Sequence, residues 1–176
     1  MGRGGGAIER SSAYGPIADV RGRCDKRPGG GATAISESQA DGDGFPPLLI
    51  GMSRREIDEV LDEPPEADGA GLNSEEAFRY NGSHVRVVMR QDRAVEIALV
   101  PPAKVLFQGK PLFESGSVWR EIVAADGDAQ ETLGFIVLRR LGLTLTRFHD
   151  GDRAQLAITA FEPGRWDVFE REMQPL

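Results

Sequence analysis

The stretch Gly142-Leu-Thr-Leu-Thr-Arg-Phe-His-Asp-Gly-Asp-Arg-Ala-Gln-Leu-Ala-Ile-Thr-Ala-Phe161 restricts the fold of this chain more than any other. Leu143 and Leu145 alternate with threonines, and Leu156, Ile158 and Ala160 alternate with other residues on the far side of a turn. Successive side chains of a strand point to opposite faces, so each run reads as a strand with one face buried. Between the runs, Asp150-Gly151 supplies residues that tolerate the positive φ of a tight hairpin turn. The stretch from His84 to Leu99 has the same form. Both place Asp-Arg-Ala at the expected start of the second strand, at Asp92-Arg93-Ala94 and at Asp152-Arg153-Ala154. One sheet-forming unit is therefore expected twice.

Each unit is preceded by a helical signal. In Met52-Ser-Arg-Arg-Glu-Ile57, Ser53 can cap a helix and Glu56 completes a capping box. Ile57, Val60 and Leu61 follow as an apolar stripe, and Pro64-Pro65 stops the helix. In the second unit Val118, Ile122 and Ala125 share a helical face, and Asp126-Gly127-Asp128 ends it. Asn81-Gly82 predicts a further hairpin turn, Leu133–Leu138 a buried strand, and Lys104–Phe113 an extended link. The expected fold is thus α+β, with two repeats of a helix plus three to four antiparallel strands. They span about 48–100 and 111–169 and form one sheet with both helices on one face. Because the strands alternate, the other face is expected to meet water.

This domain occupies residues 45–176. Residues 1–44 read as a disordered or loosely docked tail, since they hold 11 of the 22 glycines and few apolar side chains. The tail has six basic and six acidic residues, so the whole net charge of −7 belongs to residues 45–176. That charge disfavours nucleic acid as a partner, because phosphate binding needs a basic surface, and it suits a basic protein partner. No apolar run approaches the ~18 residues that span a bilayer. One cysteine, Cys24, supports neither an internal disulfide nor a Cys-rich metal site. The cytoplasm is the expected location.

The opening Gly51-Met-Ser-Arg-Arg-Glu-Ile-Asp-Glu-Val-Leu-Asp-Glu-Pro-Pro65 resembles that of the tandem modules in beta-lactamase inhibitor proteins and small outer-membrane lipoproteins. Asp62 stands where those modules usually carry glycine. The later stretch, with Leu141-Gly-Leu143, His149-Asp-Gly-Asp152 and Phe161-Glu-Pro-Gly-Arg-Trp-Asp167, is similar to uncharacterised bacterial immunity-like proteins. The resemblance covers residues 48–169 and implies a module that neutralises a protein partner, such as a basic toxin, by covering it.

Chemistry-bearing patterns are scarce. His149-Asp150-Gly151-Asp152 suggests a metal or acid-base site, but a turn explains the same residues, and the only other histidine is His84. Glu56, Glu59, Glu63 and Glu66 read as a solvated helix face rather than paired catalytic carboxylates. Neither a cofactor nor a catalytic residue is assigned. By alternation, His84, Arg86, Arg90, Glu96, Thr144, Thr146, Gln155 and Thr159 point to the open sheet face, with Asp150, Asp152 and Trp166 at its rim. These residues are the candidate contacts for a protein partner. A small-molecule sensor or carrier and a hydrolase are the alternatives.

Overall fold

A computed structural model describes residues 17–20, 34–36, 48–70, 75–151 and 153–176. The chain is α+β, with two α-helices among the described residues and a nine-stranded antiparallel sheet. In chain order the strands are β1 (Ile17–Val20), β2 (Ala34–Ser36), β3 (Leu48–Leu49), β4 (Glu66–Ala70), β5 (Glu76–Tyr80), β6 (Val85–Arg90) and β7 (Arg93–Leu99). They continue as β8 (Lys104–Phe107), β9 (Lys110–Pro111), β10 (Gln130–Thr132), β11 (Phe135–Leu138), β12 (Leu143–Thr146), β13 (Ala157–Phe161) and β14 (Gln174–Pro175). Helix α1 (Arg54–Leu61) precedes β4 and α2 (Val118–Asp126) precedes β10. The large sheet runs β14-β10-β11-β12-β13-β7-β6-β5-β4, and a smaller one runs β3-β2-β1-β8-β9.

The capping box forms as the sequence predicts. The Ser53 N–H donates to Glu56 Oε2 at 2.7 Å, and the Glu56 N–H donates to Ser53 Oγ at 3.4 Å. Eight residues are too few for a helix to persist alone in water. Ile57 and Val60 are buried, each contributing about 1.5–3 kcal/mol of transfer free energy, so packing supplies most of the stability of α1. Asp62 ends the helix in the left-handed region at φ 50. Gly127 does the same for α2 at φ 72, where glycine meets no Cβ penalty. Glu63 and Glu66 lie beyond the helix rather than on it. Glu63 accepts from the Gly82 and Ser83 N–H groups, both at 2.8 Å, and Glu66 accepts from Asn81 Nδ2 at 2.7 Å. These carboxylates fix the four-residue turn between β5 and β6.

One core lies on one face of the large sheet. Val85, Val87 and Met89 of β6, Ile97 and Leu99 of β7, Leu143 and Leu145 of β12, and Ile158 and Ala160 of β13 enter it by strand alternation. Ile57 and Val60 from α1 and Val118 and Ile122 from α2 join the same core, with Val105 and Phe107 of β8. The residues 104–113, expected as an extended link, instead form a tight hairpin of β8 and β9 that buries Leu112 completely. Asp126, wholly buried at the end of α2, accepts from the Leu141 and Asp128 N–H groups and ties the helix to the turn before β12.

The two alternating stretches differ at their turns. Between β6 and β7 the turn is tight, with Gln91 and Asp92 at φ 50 and 58, so Asp92-Arg93-Ala94 does begin the second strand. The later Arg153-Ala154-Gln155 forms a 3₁₀ turn, and β13 starts only at Ala157. The expectation of a matching strand start there is corrected. Arg153 Nη2 donates to the Phe113 carbonyl at 3.1 Å and Leu156 is buried, which draws this segment off the sheet toward the core edge. The C-terminal residues pair through β14 with β10.

The expectation of a tail over 1–44 falls mostly outside the described residues. Within it, β1 pairs in parallel with β8, and β2 pairs with β1 and β3.

Candidate functional site

The sheet face opposite the core carries the alternate residues of the same strands. Across β5, β6 and β7 these include Ala77, Arg79, Arg86, Val88, Arg90, Val95, Glu96 and Ala98. Ala77, Val88 and Val95 form a small buried apolar cluster there. A β-bulge between Val88 and Met89 accompanies the placement of both Val95 and Glu96 on this face.

Around that cluster runs a chain of alternating charges. Arg165 forms a two-pronged pair with Glu75, each Nη donating to one carboxylate oxygen at 3.0 Å. Arg90 Nη2 reaches Glu75 at 2.6 Å. Arg165 Nε reaches Glu96 at 2.8 Å, Arg86 lies 3.5 Å from Glu96 and 2.7 Å from Asp68, and Arg79 lies 2.9 Å from Asp68. The Glu75 side chain is 0% exposed and that of Arg165 8%, so this pair is the buried anchor of the network. Hydrogen bonds from Arg165, with those from Arg90, hold the Glu75 carboxyl below the usual carboxylate range against the effect of burial. Partial burial pushes Asp68 up, but its bonds to Arg86 and Arg79 outweigh it, and its pKa is lowered.

Over β11 and β13 the covering is aromatic. Trp166 packs on Phe135 at 5.3 Å between ring centroids, Phe169 at 5.5 Å and Phe161 at 6.2 Å. The C-terminal segment therefore lies across part of this face, with Arg165 gripping one half and Trp166 the other.

Beside that segment a partly open groove of about 570 Å³ crosses the sheet. A single cross-strand row, Arg79–Arg86–Ala98–Thr159, contributes to it, each residue directly opposite the next. Small side chains at Ala98 and Ala157 make the trough, while Arg86, Phe135 and Gln155 stand along it.

Of the candidate contacts, His84, Arg86, Thr146, Gln155 and Thr159 line this groove. His84 does so from the turn before β6 and Gln155 from the 3₁₀ turn, rather than from strands. Arg90 and Glu96 lie on the same face but within the ion-pair network. Thr144 is 1% exposed and lies beneath the surface. Asp150 accepts from Arg147 at 2.9 Å, and Asp152 is outside the described residues. Trp166 is half-buried in its aromatic cluster rather than projecting from a rim. His149 Nε2 lies 3.2 Å from Glu131, which links the turn to β10.

Arg79, Ala98 and Arg153 also line the groove and were not singled out by alternation alone. Arg79 is an alternate position of β5 and was legible in principle. The Glu75–Arg165 pair spans 90 residues of sequence and no local pattern marks it. Among the described residues no group of three or more His, Cys, Asp or Glu is placed to hold a metal ion. Nor is any described helix long and apolar enough to cross a membrane.

No family model, no curated protein and no solved structure matches this chain.

Proposed function

We propose that the protein is a non-enzymatic binding module that holds another protein across the open face of its sheet, in the manner of a bacterial immunity or inhibitor protein acting in the cytoplasm. The observation that carries this reading is the groove, which gathers five of the residues that alternation assigns to partner contact. Binding there would be by shape and charge rather than by a reacting group.

The element order supports a duplicated module. Helix α1 is followed by β4–β7 and α2 by β10–β13, four antiparallel strands of the large sheet each, and β7 and β13 pair in the middle, with β8, β9 and β14 outside the two series. The likeness to tandem inhibitor modules rests on that order and on the Gly51–Pro65 opening.

The test is affinity capture with the full chain and with an Ala98→Leu variant, in which the larger side chain fills the trough. The wild-type protein is expected to retain one stoichiometric partner and the variant to lose it at unchanged melting temperature. Equal retention by both proteins would remove the groove from the interface, and a folded wild-type bait that retains nothing would remove the binding reading. A small-molecule carrier is the second reading, favoured by a groove volume within the ~300–1,000 Å³ usual for ligand sites. It predicts a metabolite-induced rise in melting temperature that Ala98→Leu abolishes.

A further inference from the structure

We propose that the groove receives an extended acidic segment of the partner, a strand or loop presenting aspartate or glutamate side chains. The proposal deepens the binding reading above and rests on it.

Shape is the first ground. The groove draws residues from β11, β12, β13, β7, β6 and β5, which are consecutive in the sheet. Five inter-strand steps of about 4.8 Å make it roughly 24 Å long. A volume of about 570 Å³ spread over that length leaves a narrow channel. An extended chain rises about 3.3 Å per residue, so roughly seven residues fit end to end. A compact metabolite would fill only part of it.

Charge is the second ground. Arg79, Arg86 and Arg153 line the groove and none of its described lining residues is acidic; Arg86 is held by Asp68 and Glu96, so the charge on offer is that of Arg79 and Arg153. This stands out in a chain whose net charge is −7. The whole-chain charge by itself favours a basic partner, but at physiological salt its influence decays within about 8 Å. Inside the groove, groups a few ångströms away decide. Arg79 engages Asp68 through Nη2, and its side chain is 53% exposed. Arg153 is exposed and gives Nη2 to the Phe113 carbonyl. A guanidinium carries five N–H donors in a planar fork, so both arginines keep donors to offer a carboxylate. Thr146, Thr159 and Gln155 add neutral polar groups to the lining.

The test uses the full chain and fluorescence anisotropy with a labelled hexaglutamate peptide. Expected are saturable binding at low salt, at least tenfold tighter than for hexalysine, and strong weakening at 0.5 M salt, as charge pairing demands. Arg153→Glu and Arg79→Glu should each weaken it about tenfold, and Ala98→Leu should abolish it. Melting temperatures identify any variant that fails to fold, and Arg153→Glu stands outside the ion-pair network if Arg79→Glu is lost. Absence of hexaglutamate binding, or binding indifferent to both charge reversals, overturns the proposal. So does tighter binding of succinate than of the peptide, which would mark a small-carboxylate site, or self-association that Ala98→Leu abolishes. If a captured protein is lost by Ala98→Leu but held undiminished by both charge-reversed variants, the acidic segment is wrong while the face-binding reading stands. If hexaglutamate binds as expected but no protein is captured, the proposal falls with the reading it rests on, leaving only a groove that selects acidic chains.

Discussion

On the face opposite the core, β5–β7 and β11–β13 meet the same requirement with different chemistry. Each set of strands presents alternate side chains that the helices do not cover. Over β5–β7 the answer is a ladder of arginines and carboxylates anchored on the buried Glu75–Arg165 pair. Over β11–β13 it is Trp166 laid on Phe135 and Phe161. Both answers come from one short segment after β13, since Arg165 and Trp166 are neighbours in the chain. Directional charge pairs and non-directional apolar contact therefore fail differently. Loss of one charged partner strands the other in a low-dielectric site, whereas loss of an aromatic ring leaves a gap that neighbours can partly fill.

That contrast orders the expected effects. Glu75→Ala leaves Arg165 buried without its main partner and should cost about 3–5 kcal/mol in denaturant unfolding. Trp166→Ala, from a half-buried position, should cost about 2–3 kcal/mol. A larger loss at Trp166 than at Glu75 would mean that the aromatic half anchors the segment. The two halves should also separate with pH. Glu75 and Asp68 have folded pKa values below their unfolded ones. Their contribution is complete above the unfolded value of about 4 and is lost as pH falls through the folded values. Stability of the wild-type protein should therefore fall with acidification below about pH 4, and Glu75→Gln should make that slope shallower while Trp166→Ala leaves it unchanged.

The helix starts give a smaller version of the same contrast. Ser53 closes a capping box, whereas Ser117, at the matching place before α2, makes no side-chain cap bond. Ser53→Ala should lower stability by about 1 kcal/mol and Ser117→Ala by less than about 0.5 kcal/mol, both read from thermal unfolding. At the other end of α1, Asp62→Gly should raise stability by a few tenths to about 1 kcal/mol, because glycine occupies φ 50 without a Cβ penalty.

Much of this architecture is legible in local pattern. Alternation in 85–99 and 143–160 marks which side chains enter the core, because a strand's period of two leaves little choice once one face is buried. The Ser53–Glu56 spacing marks the start of α1, because a cap is satisfied within one turn. Alternation also placed Arg86, Thr146 and Thr159 on the open face. It failed where the chain leaves the sheet. The 3₁₀ turn at 153–155 and the tight hairpin at 104–111 depend on Leu156 and Leu112 finding places in the assembled core and on Arg153 reaching the Phe113 carbonyl.

By itself the sequence determined the class of fold, the buried faces of β6, β7, β12 and β13, the start of α1 and the end of α2. All of these follow from interactions between residues a few positions apart. Only the tertiary structure decided what the open face became. The Glu75–Arg165 grip joins residues 90 positions apart. The groove exists because Arg79, Ala98 and Thr159 from three strands fall into one row. No local propensity encodes such a row. It arises when strand register brings side chains together, and register is settled by the packing of the opposite, apolar face.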